Sequence, residues 1–290
     1  KHYHNDLPPT FAAGGTVDYV SPDSVDYTTN IETREKPGTP GIIQTIKAAL
    51  AINLKDKIGL EVIEQKEIEY NHKVFERFGN HPKMEILGNQ DPINRISIFS
   101  FLIKHNDKYL HPKLGTKLLN DLFGIQSRAG CSCAGVYGHK LLNIDSNESE
   151  KYRKVVKKGI LSIKPGWIRV NFHYSFSKLE FSYICQAIEF IADHGHKFIP
   201  LYQMDIQSGD WHHKEFKDPD LHFNPTIENV LELSMEDCFD VKEFDQKQLY
   251  LDYLAQAKNL LKELPKNVQY LSYKDKDAEK IRWFYFSDIK

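Results

Sequence analysis

The segment Arg128-Ala129-Gly130-Cys131-Ser132-Cys133-Ala134-Gly135 places a guanidinium and two thiols within six residues, with no bulky side chain among them. The thiolate is the reactive form of cysteine, and a neighbouring cation favours it. A second arginine follows in Trp167-Ile168-Arg169-Val170-Asn171-Phe172. A guanidinium can hold a carboxylate through two parallel hydrogen bonds. A sulfur nucleophile on a small-residue loop, with two such forks, is equipment for chemistry on an amino acid.

The other candidates for chemistry are weaker. Cys185 lies on an apolar stripe and is expected to be a buried small hydrophobe. Cys238 sits among carboxylates in Glu236-Asp237-Cys238-Phe239-Asp240, which raises a thiol's pKa and makes it unreactive. Cys131 and Cys133 supply only two of the four ligands a structural zinc needs, and neither His111 nor His139 completes a common spacing, so no metal site is expected. His212 and His213 are expected to be surface residues. Gly14-Gly15-Thr16 can offer backbone N–H groups and a hydroxyl to an anion, as many tight turns can.

These residues need elements to hold them. Residues 1–40 are rich in turn formers, with one strand expected at Thr16–Val20. From Gly41 a helix is expected, with Ile42, Ile46, Ala49 and Leu50 on one face and Pro40 at its start. Leu60, Ile63, Tyr70, Val74 and Phe78 mark a second helix, which Gly79 ends. Strands are expected at Met84–Leu87 and Arg95–Ile103. A helix over Pro112–Phe123 precedes the thiol segment, and Gly124 stops it. Trp167–His173 alternates, with Ile168, Val170 and Phe172 on one face and Arg169 and Asn171 on the other. Arg169 therefore faces a carboxylate or, on an edge strand, solvent. Ser177-Lys178-Leu179-Glu180 forms a capping box that opens a helix striped by Phe181, Ile184, Cys185, Ile188 and Ile191. Phe198–Met204 and Ile281–Phe286 are read as strands, Gln207–Asp210 as a turn and Gln246–Leu264 as a helix. The mixture predicts an α+β layered fold, with the strands near 84–87, 95–103 and 167–173 in one sheet and the helices at 59–78 and 177–194 on one of its faces.

The chain has 290 residues, 41% hydrophobic and 27% charged, with a net charge of −2. That is globular composition with no excess of either sign. No nucleic-acid partner is expected. No run of about 20 apolar residues suggests a membrane span. Four cysteines do not make a disulfide scaffold, so a cytoplasmic setting is expected.

In order, these segments resemble the class V aminotransferase group of pyridoxal-phosphate enzymes, and within it the cysteine desulfurases and selenocysteine lyases. Gly14-Gly15-Thr16-Val17 looks like the family's G-G-T segment. Arg34-Glu35-Lys36-Pro37-Gly38-Thr39-Pro40 is similar to its R-x-E-x-G-T-P loop, with Lys36 where a glutamate would stand. Arg128-x-Gly-x-x-Cys133-Ala134 resembles the R-x-G-x-x-C-A loop that carries the desulfurase cysteine, although Gly135 and Val136 depart from it. The Cys-x-Cys form also resembles the loop of molybdenum-cofactor sulfurases. Arg169, Tyr174 and the capped helix look like the segment before the family's last helix. The resemblance covers about residues 14–192.

The resemblance implies the C-terminal part of a fold type I enzyme: a remnant of the large cofactor domain at 1–45, the small α+β domain at 46–194, and an extension of unknown role at 195–290. It implies a homodimer in which Gly15 and Thr16 reach pyridoxal 5′-phosphate of the partner subunit. Arg169, with Arg128, would bind an amino-acid substrate. Cys133 would take sulfur from cysteine as a persulfide, with Cys131 as the competing thiol and a protein as possible sulfur acceptor. The Schiff-base lysine of this family lies well upstream of the G-G-T segment, and Lys1 is too close to be it. The chain alone is therefore expected to be inactive and to lack the cofactor. The alternatives are an aminotransferase, an epimerase or a cofactor sulfurase on the same fold, or a non-catalytic partner-binding module.

Overall fold

The structure, a computed structural model, describes residues 7–131, 135–216 and 245–290. The chain divides into two compact units, residues 1–63 and 64–290.

The first unit contains an antiparallel ribbon of β1 (Val17–Val20) and β2 (Val25–Tyr27), the short helix α1 (Ile31–Arg34) and the long helix α2 (Ile42–Ile58). Helix α2 forms where expected, but its apolar residues are not an inward face. Ile42, Ile43, Ile46 and Leu50 are exposed, and no residue of α2 is buried. A two-stranded ribbon and one turn of helix are too little to cover it.

Helix α3 (Leu60–Phe78) leads into the second unit and buries Tyr70, Val74 and Phe78 there. The sheet comprises β3 (Met84–Ile86), β4 (Ile98–His105), the short β5 (Lys108–Tyr109), and, after the helix α4 (Pro112–Phe123), β6 (Arg128–Gly130). Helices α5 (Gly135–Leu141) and α6 (Ser146–Lys157) precede β7 (Trp167–Asn171). The strand order is β3-β4-β7-β6, with β5 paired to β4 and every pairing antiparallel. The three expected strands share this sheet.

The alternation in β7 explains the layers. Ile168, Val170 and Phe172 are buried with α4 and with α7 (Lys178–His194). Tyr70 of α3 stacks on Phe181 of α7 at 4.6 Å, and its hydroxyl donates to Phe176 O at 2.6 Å. The two helices thus share one face of the sheet. On the opposite face Leu87, Leu102 and Trp167 form a smaller cluster with Leu141 and Leu142. The capping box at α7 is complete, with Glu180 N donating to Ser177 Oγ and Ser177 N to Glu180 Oε2. Gly124 closes α4 in the left-handed region, at φ 64°.

Beyond Gly195 two expectations meet a different structure. Residues Gly195–Leu201 form a 3-10 helix containing Pro200, and only β8 (Tyr202–Met204) is strand, paired with β9 (Trp211–His213). Proline has no N–H to give a ladder. The segment 281–286 makes no strand and bridges the sheet only at Tyr109↔Phe284. The side chain of Arg282 donates to Phe284 O, taking up a carbonyl that a ladder would use. Helix α8 (Gln246–Glu263) forms as expected, followed by the short α9 (Lys276–Lys280). The residues after 195 share the second unit's core: Phe198, Trp211, Ala257, Phe284 and Phe286 are all buried in it.

Candidate functional site

Residues Arg128–Gly130, expected to be loop, are the strand β6. Arg-Ala-Gly carries no alternation, so its pairing with β7 sets its conformation. Gly130 and Gly166 permit the close approach: a Cβ on Gly166 would lie 2.7 Å from Gly130 Cα. The pairing sets Arg128 directly opposite Arg169. Opposed residues of an antiparallel pair present their side chains on the same face, so β6 sets the two arginines on one face of the sheet. Because β7 lies between β4 and β6, Arg169 is on an inner strand, and the edge-strand alternative does not hold.

Both arginines line a cleft of about 560 Å³, where β6 ends and the neighbouring side of β7 is left open. Its other walls come from the first turns of α7, through Glu180, Tyr183 and Ile184, and from α8, through Tyr250 and Tyr253. Arg169 is half-buried. No group among the described residues hydrogen-bonds or ion-pairs with its guanidinium. Arg128 is exposed and makes an interaction of its own. Ser127 also lines the cleft, and its Oγ is buried without a hydrogen-bond partner among the described residues. Sequence reasoning missed Ser127, Glu180 and the α8 tyrosines as site residues. Helical periodicity marked Tyr253 as inward, but nothing in it says that inward means toward this cleft.

The thiols are placed differently. Cys131 is exposed and lines a separate pocket of about 250 Å³ with His139, Ser149 and Tyr152. His139 Nδ1 lies 2.7 Å from Gly135 O, so it is the donor there, and Nε2 lies 3.0 Å from Ser149 Oγ. Both of its nitrogens are engaged. Cys133, the expected nucleophile, and Cys238 lie outside the described residues, as does Lys1. Cys185 is buried in the core as expected, and burial pushes its thiol up to about 12. His212 is exposed and His213 half-buried. His111 is fully engaged: Nδ1 accepts from Lys113 N, and Nε2 faces Ser162 O.

In the first unit Gly15 is exposed with φ 87°. Thr16 is buried; its hydroxyl donates to Ala13 O at 2.7 Å and accepts from Ala13 N at 3.2 Å. The hydroxyl proton of Thr16 is thus used within the turn, and an anion there would have to take it from Ala13 O.

No helix among the described residues is long and apolar enough to cross a membrane. No curated protein matches the chain. Among solved structures it is similar to a cysteine desulfurase from Thermococcus onnurineus NA1, with 25% identity and a TM-score of 0.49. It is also similar to the cysteine desulfurase CsdA from Escherichia coli, with 18% identity and a TM-score of 0.47. Each similarity covers 64% of this chain and 39% of the other, so the chain spans well under half the length of these proteins. Residues 1–173 match the family described as aminotransferase class-V. The chain belongs to the class V aminotransferase family, a group of fold type I pyridoxal-phosphate enzymes, and its second unit has a compatible α+β architecture.

Proposed function

We propose that this chain is the C-terminal part of a pyridoxal-phosphate-dependent enzyme that removes sulfur from cysteine by way of a persulfide on Cys133. The observation that carries the substrate side is Arg169. A half-buried guanidinium with no partner among the described residues has its hydrogen-bond donors open to an anion. The α-carboxylate of an amino acid is such an anion, and the arginine fork matches it in two hydrogen bonds. In this reading Arg169 is the carboxylate anchor, Arg128 adds positive charge, and the segment after β6 carries the sulfur acceptor thiol.

The cofactor when bound supplies the electron sink for breaking the carbon–sulfur bond. In this chain the Thr16 hydroxyl gives its proton to Ala13 O. Gly15 and Thr16 keep a phosphate role only where that bond is exchanged, in a full-length homodimer. The 290-residue chain alone is expected neither to hold the cofactor nor to turn over cysteine. A saturable, lysine-dependent absorbance band on adding pyridoxal phosphate would refute that. In the full-length parent, cysteine should leave a persulfide on Cys133, detected by peptide mass mapping. Cys133→Ala should abolish sulfur transfer and keep cofactor binding. Sulfur transfer retained in that variant moves the nucleophile to Cys131 or discards the desulfurase reading.

A further inference from the structure

We propose that Ser100 and Asn171 complete the Arg169 site, each donating a hydrogen bond to the carboxylate that the guanidinium holds. The proposal rests on the reading of Arg169 as a carboxylate anchor, and it names the residues that fix how the carboxylate lies there.

Three observations carry it. The first is register. Ser100 on β4 stands directly opposite Arg169, as Arg128 does from β6. Directly opposed residues share a face of the sheet, with Cβ atoms about 4.5–5.5 Å apart. Asn171 lies two residues further along β7, so it shares that face at a spacing of about 7 Å. Neighbours at that separation are within reach of a long side chain, and arginine has one. The second is cover. Trp167, Arg169 and Asn171 alternate onto this face, and they run from buried through half-buried to exposed. Trp167 packs with Leu87, Leu102, Leu141 and Leu142. The face is therefore closed at the Trp167 end and open at Asn171, and a ligand reaches Arg169 past Asn171. The third is polarity. The register surrounds Arg169 on this face with Ser100, Arg128, Trp167 and Asn171, and none of the four carries a carboxylate. Neither the Ser100 hydroxyl nor the Asn171 amide makes a hydrogen bond among the described residues. An ionised carboxylate has about four acceptor positions. The arginine fork takes two of them in parallel, which leaves room for one O–H and one N–H donor.

The test titrates the intact chain with propionate and with propionamide, its uncharged counterpart, following amide shifts by NMR. Propionate should bind saturably and more tightly than propionamide. Ser100→Ala and Asn171→Ala should each weaken propionate about tenfold, the size of one hydrogen bond to a charged group. Each should also erode the preference for acid over amide, whereas a damaged fold would weaken both ligands alike. Asn171→Asp should weaken propionate more than Asn171→Ala, because it sets a like charge beside the ligand. Ser100→Thr keeps the hydroxyl and should keep the affinity. Asn171 is exposed, so its variants decide the question even where Ser100→Ala fails to fold. An alanine variant that binds propionate as tightly as the unaltered chain overturns the assignment of that residue. Both doing so, with binding lost in Arg169→Gln, overturns the proposal and leaves the anchor standing. Propionate binding that is absent, indifferent to Arg169→Gln or equal to that of propionamide overturns the anchor and the proposal with it.

Discussion

His111 and Arg169 are both nitrogen-bearing side chains that can hold a positive charge, and the molecule treats them in opposite ways. His111 is buried against Trp283 and Phe284, with Nδ1 accepting from Lys113 N and Nε2 donating to Ser162 O. A carbonyl can only accept, so the ring is the neutral Nε2–H tautomer. Burial holds its pKa down to about 3. Arg169 is half-buried and without a partner among the described residues. A polar group whose hydrogen bonds are all made within the fold holds the fold together. One whose hydrogen bonds are left open is available to a ligand. The thiols divide the same way, with Cys185 sealed in the core and Cys131 facing a pocket.

The largest effect expected from this contrast is on the thiols. Alkylation of the native chain followed by peptide mapping should label Cys131 far faster than Cys185, since burial both shields the Cys185 thiol and pushes its pKa up to about 12. Cys133 should label at least as fast as Cys131. Comparable labelling of Cys185 would mean that the core opens and that burial does not separate the two classes.

Next comes His111. Replacement by alanine removes a packed ring, a helix cap and a hydrogen bond, so His111→Ala should destabilise the chain by about 3 kcal/mol in urea titrations. It should leave carboxylate binding unchanged. The group also predicts a pH dependence. The unfolded chain protonates this histidine near pH 6.5, whereas the folded chain keeps it neutral down to about 3. Between those values the unfolded state holds the extra proton, so stability falls as pH falls, by up to about 1.4 kcal/mol per pH unit. His196, also held down by burial to about 4, contributes with the same sign. Asparagine at 111 can still cap α4 but cannot titrate, so His111→Asn should flatten the slope between pH 6 and 4. An unchanged slope would assign the acid sensitivity elsewhere.

Much of this contrast was legible in the sequence, and the reasons differ by element. Strand β7 announces its buried face by alternation, and Cys185 sits on a helix stripe, so both placements follow from local periodicity. Ser177 and Glu180 announce the start of α7 by chemistry at fixed spacing. Strand β6 has no local signal, because three residues without alternation become strand only when β7 is beside them. The cleft is less legible still. Its wall comes from α8, about 80 residues after Arg169, and no spacing rule joins them. Helix α2 shows the converse failure: an apolar stripe predicts that something covers it, but its own unit does not.

The third prediction turns to Arg169 itself. Arg169→Gln should weaken binding of cysteine, through its carboxylate, about 100-fold, the loss expected from charge-assisted hydrogen bonds of ~1.5–3 kcal/mol. Its effect on stability should stay within ~0.5 kcal/mol, because no internal partner is lost. Arg169→Lys should fall between the two in affinity, keeping the charge without the planar fork. A large loss of stability in Arg169→Gln would place this arginine with His111, among groups that hold the fold.

The smallest effect tests the boundary between the two classes. Glu180 lines the cleft, yet its carboxylate and N–H are engaged with Ser177 in the capping box. By the argument above, Ser177 and Glu180 serve the fold, even though one of them faces the site. Ser177→Ala removes the acceptor of Glu180 N, a change of ~1 kcal/mol. For a chain of this size that lowers the melting temperature by about 2–4 °C. Carboxylate affinity should shift by less than about twofold, because Arg169 on β7 does not depend on that hydrogen bond. A larger gain or loss of affinity, with the same small change in melting temperature, would mean that freeing Glu180 alters the charge the ligand meets. The cap would then be part of the site.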